Sequence, residues 1–268
     1  MQQIGKRYRY SIILLRELVR TDFKLRYQGS ALGYLWSLLR PLFLFTILYY
    51  IFVHFAGTIK GIESPGVYLL LGIILWNYFV EVTTGSVGAI VGKGDLLRKI
   101  NFPKYVVILA GSIGALINLS LNFLVISIFM ALSGVSVSVH VLLLIPLIIE
   151  LFLVSLGMAF LLSALFVKFR DISYIWEIVM QAGFYLTPIL YVVTLLPHRV
   201  AEILILSPLA QIIQDARYVL VSTKTQTIAQ LYPRQAYMWL IPIGITVFIV
   251  FVGAVYFRKR SKYFAEDV

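Results

Sequence analysis

Six stretches of about 20 or more mostly apolar residues follow one another along the chain, and no other feature limits its fold as strongly. They run from Leu35 to Ala56, Val67 to Ile90, Tyr105 to Leu132, Val139 to Phe166, Tyr174 to Val193 and Tyr237 to Phe257. A hydrocarbon layer ~30 Å thick demands runs of this length, because lipid offers the backbone no hydrogen-bond partner and a helix supplies its own. The chain is 60% hydrophobic and only 13% charged, with the apolar residues in blocks instead of alternating with charges. These features predict an all-α integral membrane protein with six transmembrane helices.

The formal charge of +11 would suggest nucleic acid in a soluble protein, but the position of the charges matters more than their sum. An even number of spans puts both termini on one side. On that side fall 18 basic residues, up to Arg40, from Lys93 to Lys104, at Lys168 and Arg170, and from Arg258 to Lys262; the other side has 5, Lys60, Arg199, Arg217, Lys224 and Arg234. The positive-inside bias assigns both ends to the cytoplasm. There are no cysteines, which excludes disulfides, thiolate nucleophiles and Cys-ligated zinc.

Ahead of the first span, Arg16, Arg20 and Lys24 line up at i, i+4 and i+8 on a helix, while Ile12, Leu15, Leu18, Val19 and Phe23 fall mostly on the other side. This spacing predicts an amphipathic helix at the membrane interface. Asp22 and Arg26 stand in the acid-first i, i+4 order that lets them partly neutralise each other. Gly29 and Gly33 loosen the helix, and Trp36 and Arg40 mark the level at which the chain enters the bilayer. The apolar run from Ile12 is cut by Arg16 and Glu17 too soon for a signal-peptide core, so the segment reads as retained.

Between spans five and six, Leu195 to Ala236 is strongly apolar yet contains Glu202, Asp215 and Arg217, and Pro208 divides it into pieces too short to span. A re-entrant or outer helical hairpin fits, as does a packed outer cap with no part in transport. With no internal repeat or flexible linker, the chain reads as one membrane unit: residues 1–34 a cytoplasmic amphipathic region, 35–257 the spans, and 258–268 a cytoplasmic tail.

Catalytic chemistry is hard to place. Gly88 to Gly94, GAIVGKG, has the Gly-Lys of a phosphate loop, but the first Gly would fall on Val87 and the Ser/Thr after Lys is Gly94. Any ATP-driven step therefore needs an ATPase on a separate chain. His54, His140 and His198 fall near the outer span ends without a metalloprotease or nucleophile-elbow pattern, so no catalytic residue and no metal ligand is assigned.

Acids inside spans are costly and usually face a bundle interior or a wet cavity. Glu81, with Asn77 and Thr84 on the same helical side, is one; Glu150 and Glu177 are others. Glu177, Gln181, Phe184, Pro188 and Tyr191 form a polar and aromatic stripe along span five, and Phe45, Tyr49 and Phe52 a similar one in span one. Such stripes suit a path on which sugar rings slide against aromatic faces, and equally suit lipid-facing or packing material. The loop GDLLRKINFPK, Gly94 to Lys104, is basic and carries Leu96-Leu97 and Phe102-Pro103, apolar elements that a plain loop seldom exposes. They fit a short helix docking into a partner; Arg98 and Lys99 would also attract anionic lipid.

Three segments resemble the ABC-2 type permeases that export lipid-linked polysaccharides such as O-antigen and teichoic acid. They are LLRELVRTDFKLRYQGSALGYLWSLLRPL, GDLLRKINFPKYVVILA, and FRDISYIWEIVMQAGFYLTPILY followed by SPLAQIIQDAR, in the order expected over nearly the whole chain. The resemblance implies a homodimer in a bacterial cytoplasmic membrane, bound to two copies of a separate ABC subunit that holds ATP and Mg. It implies that Leu97, Arg98, Lys99, Phe102 and Pro103 belong to the ATPase-coupling loop. By the same likeness Arg16, Arg20, Lys24, Arg26 and Tyr27 face the pyrophosphate of an undecaprenyl-linked glycan, a role that guanidinium geometry suits and that attachment to anionic lipid would share. The translocation path would use Phe45, Tyr49, Phe52, Glu81, Glu177, Gln181, Phe184 and Tyr191. A drug permease of the same family, an ATP-independent flippase and a membrane scaffold are the rival readings.

Overall fold

The computed structural model describes residues 2–27, 32–33, 35–55, 57, 59, 62, 64–94, 102–135 and 139–264, with backbone alone at 2–10, 23, 25–27, 54 and 236. Every regular element among them is helical. In chain order these are α1 (Gln2–Tyr27), α2 (Leu35–Tyr49), α3 (Pro65–Val87), the short α4 (Ala89–Gly92), α5 (Tyr105–Leu132), α6 (Leu144–Lys168), α7 (Ile172–Leu186), α8 (His198–Ile205), α9 (Pro208–Leu220), the short α10 (Ile228–Leu231) and α11 (Leu240–Arg260). A π-helical turn, Tyr50–Phe55, extends α2, and 3-10 turns lead into α6 and α11.

Five helices are long and apolar enough to cross a membrane, or six if the bent α8–α9 pair counts as one span. The expected fifth span is not a single helix. Pro188 has no N–H to donate and biases the residue before it away from helix, so Thr187 turns extended at ψ 138° and α7 ends at Leu186 after 15 residues. At 1.5 Å per residue that is ~22 Å, short of the hydrocarbon thickness. After a looped stretch, α8 and α9 meet at 97°.

α3 is the centre of the bundle. It is apolar all round, and 78% of its most apolar window is buried, against 11% to 28% in the other four long helices. α2, α5, α6, α7 and α9 all pack against it. On the α7 side, Trp76 and Phe79 meet Phe184 and Trp176 at ring distances of 6.2 Å, and Trp176 Nε1 donates to Thr83 Oγ1 at 3.1 Å. The other close pair is α6 with α11, whose backbones approach at Gly157 and Gly253.

Several basic residues gather where α1, α4, α5 and α11 come together. Leu18 of α1 packs with Val106 and Ala110 of α5, flanked by Leu14, Leu15 and Val19, while Arg16, Arg20 and Lys24 are exposed. Lys104 donates to the Ser261 carbonyl at 2.5 Å beside the buried Phe264 ring, fixing the start of α5 to the end of α11. Asp22 is held from outside its own helix, by Lys93 at 2.7 and 3.0 Å. Both partners of this bridge are partly exposed, so Lys93→Ala should lower stability by no more than about 1 kcal/mol. Thermal unfolding in detergent at low and high salt would check this; the difference between wild type and variant should shrink as salt rises.

Candidate functional site

A cavity of about 810 Å³ lies between α2, α3 and α5. Gly66, near the start of α3, lies beneath Tyr49 and Phe45 near the end of α2, so the two helices run antiparallel. Asn77, Glu81 and Thr84 face the cavity from α3, spaced as successive turns of one side, and Asn118 and Asn122 face it from α5 at i and i+4. From α2 come Trp36, Ser37, Arg40, Pro41 and Leu44. Trp36, Arg40 and Thr84 are exposed and form its rim; Tyr78, Asn118 and Asn122 are buried and form its floor.

The polar atoms here are arranged by their own bonds. Asn118 Nδ2 donates to Glu81 Oε1 at 2.8 Å, tying α5 to α3, and Asn122 Nδ2 donates to the Asn118 backbone carbonyl at 2.8 Å. These bonds orient the Asn118 carboxamide so that its Oδ1 is left over. Among the described residues Asn118 Oδ1 and Tyr78 Oη have no partner, although both groups are buried. Unpartnered polar atoms are costly inside a bundle, and these two are enclosed beneath the cavity floor.

The residues expected on one translocation path are split by α3. Glu81 alone of that set lines this cavity. Glu177, Gln181 and Phe184 are on α7, beyond α3, with Glu177 and Gln181 exposed and Phe184 packed edge-on to Trp76. Tyr191 lies past the end of α7, its hydroxyl donating to the Leu186 carbonyl at 2.6 Å, and Pro188 is buried; the stripe read along span five is therefore broken at Leu186. Phe45 is a packing residue, buried against Phe129 of α5 at 5.5 Å, with Tyr49 and Phe52 half-buried beside the core.

Of the expected coupling loop, Leu97, Arg98 and Lys99 lie outside the described residues, as do the side chains of Arg26 and Tyr27. Phe102, expected to face water, is 5% exposed and belongs to the main core, with Pro103 half-buried beside it. An aromatic next to the start of a span finds the bundle closer than it finds solvent. Replacing Phe102 would therefore disturb packing before it reported on any docking surface.

A second constellation escaped the sequence reading. Arg217 of α9, counted there as a loop charge, is fully buried. Its Nε donates to the Tyr68 carbonyl at 2.9 Å, Nη1 to Pro188 at 2.5 Å and Nη2 to Ile189 at 2.8 Å, and the guanidinium lies 3.7 Å from the Tyr68 ring centroid. Gln214 adds a bond to the Pro188 carbonyl at 3.3 Å. One side chain thus ties together α3, α9 and the turn that ends α7. Nearby, Gln211 donates to Asp215 within α9 at 2.5 Å, and Thr246 donates to Glu150 at 3.5 Å, joining α11 to α6.

A family model described as ABC-2 type transporter matches residues 13–221, which takes in α2, α3, the cavity and Arg217. The chain belongs to the ABC-2 type transporter family. Its members are membrane subunits of transporters, in keeping with the multi-pass helical fold. Two relatives from Klebsiella pneumoniae, both named O-antigen export system permease protein RfbA, are 29% and 28% identical to this family member, each over 96% of the chain and 95% of the relative. A protein of the same name from Myxococcus xanthus is 24% identical over 97% of both chains.

Proposed function

We propose that this chain is the permease subunit of an ATP-driven exporter that moves an undecaprenyl-pyrophosphate-linked polysaccharide, of O-antigen or teichoic-acid type, outward across a bacterial cytoplasmic membrane. The observation that carries the proposal is likeness over 96% of the chain to relatives named as O-antigen export permeases. The chain acts as a homodimer of six-span subunits, the fifth crossing made by α7 together with the stretch after it as far as Val193, with both termini in the cytoplasm and two copies of an ABC subunit on that side. ATP and Mg belong to those partners. α1 lies along the inner interface, where its exposed Arg16, Arg20 and Lys24 meet the pyrophosphate head; guanidinium and ammonium donors give phosphate charge-assisted hydrogen bonds. The bent α8–α9 pair is a re-entrant outer hairpin and acts as the exit gate.

Coupling runs through the segment around Leu97, between α4 and α5. Nucleotide binding in the partner pushes this segment, and the start of α5 carries the push to α3 and the cavity. Co-expression with an ABC ATP-binding subunit from the same genome should yield a stable complex with ATPase activity. Leu97→Asp, which puts a charge into the proposed docking contact, should cut that activity or the recovered complex by about tenfold or more without loss of folded permease. Full activity in the variant would remove the coupling assignment. Failure of the wild type to bind any ABC subunit would remove the ATP-driven reading.

A further inference from the structure

We propose that the cavity between α2, α3 and α5 is a binding site for a sugar joined to phosphate, the glycosyl-phosphate head of a membrane lipid. This rests on the export reading above and assigns to the head a place within the membrane, apart from the exposed cations of α1. The argument starts from the wall chemistry. The Glu81 carboxylate presents acceptors, and the Asn77 carboxamide can donate as well as accept. A sugar hydroxyl also does both, so this mixture pairs with a ring of hydroxyls, whereas an ammonium head needs acceptors alone and an acyl chain needs neither.

A metal ion is a poor occupant: the described residues contain no group of three or more His, Cys, Asp or Glu side chains able to hold one. At the rim stand Arg40, whose guanidinium suits a phosphate, and the exposed indole of Trp36, an apolar face for the C–H side of a pyranose. At about 810 Å³ the cavity has room for a sugar and its phosphate but not for a polymer. It therefore reads the sugar next to the phosphate and leaves the rest of the glycan outside.

The test is equilibrium binding to the purified full-length chain in lipid nanodiscs. The probes are farnesyl pyrophosphate and its conjugates with glucose, galactose and N-acetylglucosamine. At least one conjugate should bind about tenfold more tightly than bare farnesyl pyrophosphate, as expected for hydrogen bonds to a half-buried acid and carboxamide. Glu81→Gln, close in shape to the native side chain, and Asn77→Ala should each erase most of that margin, read within each variant as the ratio of conjugate to bare farnesyl pyrophosphate affinity. Arg40→Gln should weaken all the probes together. An unchanged melting temperature in the Asn77→Ala protein separates ligand contact from folding, and that variant carries the test if Glu81→Gln does not fold.

If no conjugate outbinds bare farnesyl pyrophosphate, or if the margin survives both substitutions, the cavity is not the sugar site, and the export reading stands on its other grounds. If none of the pyrophosphates binds at all, both the site and the lipid-pyrophosphate substrate are overturned.

Discussion

Arg217→Ala is expected to destabilise the fold by about 3–5 kcal/mol, enough to leave little folded protein, because it removes three buried hydrogen bonds at once and leaves the Pro188 carbonyl only its 3.3 Å bond from Gln214. The native arrangement is unusual in that no carboxylate pairs with the guanidinium among the described residues. Its charge is met by carbonyl dipoles just past the end of α7, where the helix dipole is negative, and by the face of Tyr68. Arg217→Lys keeps the charge but not the fork: one ammonium cannot reach three carbonyls spread over two elements, and it stacks less well on the ring. It should recover only part of the loss. Tyr68→Phe keeps both the ring and the accepting backbone carbonyl, giving up only a 3.4 Å contact to Gln214, so it should be nearly neutral.

Gly72→Ala offers an independent check on the same site. A Cβ there would land on the Arg217 guanidinium, so the variant should mimic part of the Arg217 loss. Combining it with Arg217→Ala should add little further, since the first change has already emptied the place the second would invade. Thermal unfolding of the purified proteins measures all five variants, the double substitution included. Wild-type stability in Arg217→Ala would mean that the three carbonyls find other donors and that the turn after α7 is held by something else.

The membrane class and the helix positions were legible because hydropathy is a local property: α5 begins and ends at Tyr105 and Leu132, as read from its run of apolar residues. α7 was misread for a related reason. Its apolar composition continues through Pro188 to Val193, but a missing N–H outweighs hydropathy, and the Pro188 carbonyl, past the helix end, is taken by a residue 29 positions away. The site was legible only in pieces. Glu81 stood out as an acid in a span, whereas Asn118 and Asn122 carry no charge and gain meaning only when α5 is laid beside α3. Arg217 was counted among the outer charges because composition cannot tell a solvated cation from one enclosed by three carbonyls. Phe102 is the converse case, an apolar loop residue read as exposed that is buried in its own bundle.

Gly253→Ala is expected to destabilise the pairing of α6 and α11 by about 2–3 kcal/mol, and Gly253→Leu to disrupt it, although both changes raise helix propensity. Between helices in lipid there is little hydrophobic gain from association, so close backbone approach supplies much of the attraction. That approach is tightest here: a Cβ on Gly253 would collide with the Gly157 carbonyl oxygen, and one on Gly157 would come within 2.8 Å of the Val250 backbone. Since the obstacle on each side is backbone, no side chain can rotate away; the helices must separate, loosening contacts along their length. Gly244 of the same helix has open space around it, so Gly244→Ala should be neutral or gain up to about 1 kcal/mol from helix propensity. Thermal unfolding of Gly244→Ala and Gly253→Ala side by side separates contact from propensity. Equal stability in the two would mean that α11 is held to α6 by its larger side chains, and that the glycine pair fills space without setting the distance.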